Sequence, residues 1–193
     1  MYRILISFLL ALAVSLTANS QDAKTLYQQG KALYDAKNYA QAFPKLKAAA
    51  EKGHKKAQYR LGRCYEKGRG VAQSDALAYQ WYSKSAAQEY SKAEYQMGMC
   101  FKDGRGTAKN REKAFSWLMR AARQEYAEAQ YQVGKSYLKG KGTPVDRKKA
   151  KTWLQRAVKN EKGGDKILQK IKKKAAEGDE DAKVMLTLIG DKK

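Results

Sequence analysis

Apolar residues in the middle of the chain recur at three- and four-residue steps, the spacing that lines one face of an α-helix. Ala57, Leu61, Cys64 and Tyr65 make one such face, and Ala78, Trp81, Tyr82 and Ser85 make another. Between them Gly68-Arg69-Gly70 interrupts the pattern, because glycine readily takes the left-handed conformation that closes a helix. Four residues past the second glycine stands Ser74, a residue type whose side chain accepts a hydrogen bond from the first free amides of a helix. The whole unit then recurs every 36 residues without a gap. Ala57, Ala93 and Ala129 coincide, as do Tyr59, Tyr95 and Tyr131, Gly62, Gly98 and Gly134, and Trp81, Trp117 and Trp153. The capping position reads Ser74, Asn110 and Asp146, different residues with the same capping ability.

Three units follow, over 56–91, 92–127 and 128–163. A shorter copy precedes them over 22–53, in which Tyr27, Gly30 and Leu33 stand for the first helix and Ala42, Leu46 and Ala50 for the second. Beyond 163, Ile167, Leu168, Ile171 and Ala175 mark a basic amphipathic helix, and 182–189 a last, truncated first helix. Both suit the polar caps that end repeat arrays. The pattern predicts helices near 22–36, 38–51, 55–67, 74–88, 92–102, 110–124, 128–138 and 146–159, with no sheet. The fold class is all-α, a solenoid of antiparallel helix pairs forming a single domain over 21–193.

Residues 1–20 break from this pattern. Arg3 is their only charge, 4–18 is apolar apart from Ser7, Ser15 and Thr17, and Ala18-Asn19-Ser20 sets small residues before Gln21. Such a leader predicts an exported chain cleaved near Ser20, periplasmic or secreted. The apolar run, about 15 residues, is short for a membrane span of about 20.

Charge adds one point. The chain holds 40 Lys plus Arg against 19 Asp plus Glu, a formal +21, which implies attraction to polyanions without choosing among nucleic acid, anionic lipid, acidic glycan and acidic protein. Arg69, Arg105 and Lys141 recur inside the glycine pairs and predict a basic ridge. Chemistry, by contrast, finds little footing. The single histidine, His54, lies in an inter-repeat turn without the companions that triads or zinc sites require. The Gly-x-Gly loops follow helices, whereas phosphate-cradling glycines follow strands. Gly134-Lys135-Ser136 falls inside a first helix, and the position where a P-loop needs its earlier glycine is Ala129. Cys64 and Cys100 occupy equivalent repeat positions, which adjacent helices hold about 9–10 Å apart. That exceeds the Cα separation of about 7 Å that a disulfide tolerates, so both are expected as buried thiols. No catalytic, metal or cofactor residue is expected.

The string Ala57-Gln58-Tyr59-x-Leu61-Gly62-x-x-Tyr65-x-x-Gly68-x-Gly70, followed by Ala78-x-x-Trp81-Tyr82-x-Lys84-x-Ala86, resembles the Sel-one-like repeat (SLR) family, relatives of tetratricopeptide repeats. The resemblance implies a right-handed superhelix that acts as an adaptor or scaffold, with partners lying on a concave face lined by first helices. Glu89, Glu125 and Glu161 replace the glycine the family carries after the second helix, which predicts a tighter or more helical turn there. First-helix positions outside the apolar stripe are then the candidate partner contacts: Gln58, Arg60, Arg63, Gln96, Met99, Lys102, Gln132 and Lys135. Long donors with one adaptable methionine suit an acidic or polar protein or peptide. The alternative is direct binding of an anionic envelope polymer or membrane surface. No nucleic acid is expected, since the aromatics lie on packing stripes and the leader predicts export. A remoter reading, β-lactamase-like activity, belongs to cysteine-rich relatives with a disulfide in each repeat, a feature this chain lacks.

Overall fold

The computed structural model describes residues 21–190, and no strand occurs among them. The expected leader, 1–20, lies outside the described residues. Helix α1 covers residues 21–35. It is followed by α2 (Tyr39–Glu51), α3 (Lys55–Lys67), α4 (Asp75–Ala86), α5 (Ser91–Asp103), α6 (Arg111–Arg123), α7 (Ala127–Lys139), α8 (Arg147–Val158), α9 (Gly164–Ala176) and α10 (Glu180–Ile189). Each repeat helix starts and stops within two residues of the sequence expectation, because the local signals are real caps. Ser74 Oγ accepts from the Leu77 amide, Asn110 Oδ1 from Lys113 and Asp146 Oδ1 from Lys149. Gly68, Gly104 and Gly140 close α3, α5 and α7 in the left-handed region.

The chain forms two compact units, the first ending at Gln88 and the second starting at Glu89. In the first, α3 and α4 pair antiparallel. The Tyr82 hydroxyl donates to Glu66 near the loop, while Ser85 donates to the Lys55 carbonyl at the far end. Gly62 makes the pair close, since a Cβ there would lie 2.6 Å from the Tyr82 ring. Gly98 and Gly134 play the same part in the second unit, where Leu118 and Leu154 would lie 2.7 Å away. The first core gathers Tyr27, Leu46, Leu61 and Cys64, with Trp81 packed on its rim. In the second unit α5 pairs with α6 and α7 with α8, and α9 lies against α8, α10 and α7. Tyr131, Leu154, Ile167, Ile171 and Met185 fill the core at that end.

Two expectations need correction. The inter-repeat turns carrying Glu89 and Glu125 are neither tighter nor more helical: both residues sit at φ 56° and 58°, the left-handed region that Gly53 occupies at φ 85°. The glutamates therefore accept the strain of a glycine position. The tryptophans are also less deeply packed than the stripe implies. Trp81, Trp117 and Trp153 are only partly buried. Each carries a cation over its ring, Lys84, Arg120 and Arg156 at 4.3, 4.7 and 5.0 Å.

Candidate interaction surface

The polar first-helix positions divide into structural clips and open donors. Gln58 is a clip, a correction to its expected role. It is buried, donates to the Ala50 carbonyl at 3.2 Å, and accepts from Gln88, which also donates to the Gly53 carbonyl at 3.0 Å. The arrangement fastens the inter-repeat turn. It recurs 72 residues later, where Asn160 donates to Gln130 and to the Glu125 carbonyl. In the intervening repeat the buried residue is Glu94, which accepts from Arg120 at 2.9 Å and Gln124 at 2.7 Å. The sequence signal for this clip was present: a Gln58/Glu94/Gln130 column and a Gln88/Gln124/Asn160 column, both polar in every repeat.

In the first unit the remaining candidates are occupied by neighbours. Arg60 lies over the Tyr34 ring at 5.2 Å and pairs with Asp35 at 3.2 Å. Arg63 donates to the Tyr59 hydroxyl and reaches Glu66 at 3.2 Å. Glu66 in turn accepts from Tyr82, whose own acidity is suppressed by burial and then by that carboxylate. The ridge residue Arg69 belongs to the same group. It donates to the Tyr34 hydroxyl at 2.6 Å and covers the Tyr39 ring, so it holds a loop while remaining partly exposed.

In the second unit the candidates stay open to solvent in part. Gln96, Met99, Gln132 and Lys135 are partly buried and Lys102 is exposed. A hydrogen bond links Gln132 to Tyr95. Lys135 rests over Tyr131 at 5.6 Å. Burial first, then the ammonium groups of Lys174, Lys139 and Lys102, hold its pKa below the ordinary lysine value, with Asp179 opposing. Of the ridge positions here, Arg105 lies 3.8 Å from Asp103, and Lys141 is exposed.

Other candidate chemistry resolves into packing. His54 caps α3, its Nδ1 accepting from the Ala57 amide at 3.2 Å, and its ring stacks on Tyr27 with centroids 4.4 Å apart. Burial lowers its pKa. Cys64 and Cys100 are buried and outside any disulfide, and desolvation pushes Cys64 up to about 11, far from a reactive thiolate. Among the described residues no three His, Cys, Asp or Glu side chains gather as a metal site would require. Nor is any helix among them long and apolar enough to cross a membrane.

Stacked helix pairs with this glycine spacing match the Sel1 repeat model over residues 55–90, 91–126 and 127–161. The chain belongs to the Sel1 repeat family. A Sel1 repeat protein from Oxalobacter formigenes shares 34% identity at a TM-score of 0.70, over 74% of this chain and 56% of that one. A protective antigen of uropathogenic Escherichia coli strains, displaying an SLR fold, shares 27% identity at 0.71, over 88% of this chain and 41% of that one. The chain thus spans about half the length of these solved relatives. No curated protein matches it. Membership makes this an α/α-solenoid of a repeat family that suggests a protein-interaction scaffold.

Proposed function

We propose that the protein is an exported scaffold that holds a partner protein or peptide along its first-helix face, through the second unit. One observation carries the reading. At the first-helix positions outside the packing stripe, the first unit commits its partly exposed cations to Asp35, Glu66 and tyrosines, while the second sets Lys135 over a tyrosine among other lysines and leaves Gln96, Met99 and Lys102 partly or fully accessible, Lys102 with Asp103 at 3.9 Å. Rigid helices present these groups at a fixed spacing, which lowers the ordering cost of binding an extended segment. Export follows the reading of the leader, and amino-terminal sequencing of released protein is expected to begin at or close to Gln21. The binding face is tested with a photocrosslinking side chain at Met99, compared with one at the exposed Lys151 on α8, in envelope extracts. Crosslinks from Met99 that persist at high salt support a held partner. Crosslinks from Lys151 alone would move the site to the second helices.

A second reading rests on α9, whose Lys166, Lys170, Lys172 and Lys173 are all exposed and suit an anionic envelope polymer or membrane surface. Attachment of that kind collapses as ionic strength rises, since screening acts within about 8–10 Å at physiological salt.

A further inference from the structure

At the end of the second unit, the side chains around Tyr131 form a charge arrangement that the packing does not use up. Tyr131 is buried, and two ammonium groups lie against its ring, Lys135 at 5.6 Å and Lys170 at 5.2 Å. Lys174 follows Lys170 by one turn of α9 and stands 3.9 Å from Asp179, while Lys139 pairs with Asp181. Lys102 of α5 completes the ring of neighbours whose charge Lys135 feels. The charged groups that act on Lys135 include Lys102, Lys139, Lys174 and Asp179, from α5, α7, α9 and the cap of α10, and Lys170 shares its ring. Asp179 is committed as well, since its Oδ1 accepts from the Ala182 amide to cap α10. Asp179, Asp181 and Asp103, the last 3.9 Å from Lys102, answer three of these five lysines, and the cluster keeps an excess of positive charge beside a buried aromatic ring.

The matching columns show that the fold does not demand this. Lys135 is the counterpart of Arg63 and Met99, and Lys102 is the counterpart of Glu66. In the first unit that glutamate neutralises the arginine one turn away. The second unit places a cation where the first places the anion, and methionine satisfies the packing at the Lys135 column one repeat earlier. A partly buried lysine surrounded by lysines costs stability in the free protein. We infer that Lys135, Lys174, Lys102 and Lys139 form a cluster that binds the carboxylates of an acidic peptide segment, the anchor point of the partner proposed above. Lysine ammonium groups are compact point donors, whereas the planar guanidinium fork favoured for phosphate is missing from the cluster. The three aspartates at its edge oppose a densely charged polymer while leaving room for spaced carboxylates.

The inference rests on the scaffold reading and can fail separately from it. The probe is an N-acetylated, C-amidated hexaglutamate peptide, with hexaglutamine as its neutral counterpart, titrated into the purified protein at low salt. Hexaglutamate is expected to bind and hexaglutamine not. Lys135→Gln with Lys174→Gln is expected to weaken hexaglutamate by about tenfold, equivalent to about 1.4 kcal/mol. Lys148→Gln with Lys151→Gln, an equal charge change on the exposed face of α8, is expected to shift it by less than about threefold. The first variant is also expected to melt no lower than the parent, so weaker binding cannot be assigned to unfolding. Acylation of the Lys135 amine at neutral pH, followed by mass spectrometry, is expected to slow when hexaglutamate is present. Equal losses from both variants, no binding by hexaglutamate, or an inorganic polyphosphate that binds both variants as tightly as the parent would each overturn the proposed site. If hexaglutamate fails while Met99 still crosslinks a partner, the acidic ligand is wrong and the scaffold reading stands.

Discussion

The first helices of the two units are built on one template and treat charge in opposite ways. In α3, Arg63 lies beside Glu66, Tyr59 and Tyr82, and Arg60 lies beside Asp35 and Tyr34, so each cation is answered within the unit. In α7, Lys135 occupies the Arg63 column among further lysines. The starts of the helices differ in the same sense. His54 caps α3 through its side chain, whereas Tyr90 and Tyr126, at the N-caps of α5 and α7, make no side-chain cap bond. The turn before α3 uses Gly53, while the turn before α7 forces Glu125 to φ 58°. The first unit also holds a non-glycine residue, Lys37, at φ 62°, so the contrast lies in charge at the Arg63 column and not in backbone strain alone. The second retains costs that a bound partner could relieve, which is the usual signature of a surface kept for binding.

The comparison breaks most visibly at Glu66. Glu66→Lys gives α3 the cation that α5 carries at Lys102, removes the acceptor of the buried Tyr82 hydroxyl, and sets two cations side by side. The expected cost is about 3–5 kcal/mol in denaturant unfolding. The reciprocal change, Lys102→Glu, is expected to leave stability unchanged or improve it while abolishing hexaglutamate binding. Next in size is the cap. His54→Ala removes the acceptor of the Ala57 amide and the Tyr27 stack, for about 1 kcal/mol. It also changes pH dependence. The folded pKa of His54 lies below its unfolded value, so the unfolded chain binds more protons and stability falls as pH drops below about 6.5. That acid-side loss is expected to shrink in the alanine variant. Smaller again is Glu125→Gly, which relieves left-handed strain in the second unit and is expected to stabilise by about 0.5 kcal/mol net of the added freedom of the unfolded chain. Gly53→Ala, its converse in the first unit, is expected to destabilise.

Repeat period, helix ends and glycine contacts were legible in the sequence because each depends on residues close together or spaced at a fixed interval. Ser74, Asn110 and Asp146 could be read as caps without a structure. Gly62, Gly98 and Gly134 could be read as points of close approach. What the sequence hid was pairing across helices. Gln58 and Arg60 look alike on a helical projection, yet Gln58 faces the preceding turn and Arg60 faces Tyr34. Lys170 and Lys174 read as the polar outer face of a cap, because nothing in their spacing says that α9 lies against α7. Their approach to Tyr131 and Asp179 is set by the way the truncated last repeat closes the core of Ile167, Ile171 and Met185. The tryptophan column misled in a related way. Its helical phase is right, but a repeat face only partly covered leaves room for a cation over each ring.

The most direct test replaces the same column by the residue that already fills it at Met99. Arg63→Met and Lys135→Met are compared by equilibrium unfolding at low ionic strength, in the absence of ligand. Arg63→Met is expected to destabilise by about 1 kcal/mol, because Glu66 loses its nearer cation and keeps only Lys67 at 3.8 Å. Lys135→Met is expected to stabilise by about 0.5 kcal/mol, because a crowded ammonium group is removed, and added salt is expected to shrink that gain. Opposite signs support a first unit neutralised from within and a second held open for an anion. Destabilisation by both substitutions would show that Lys135 is a structural residue, and would contradict the account.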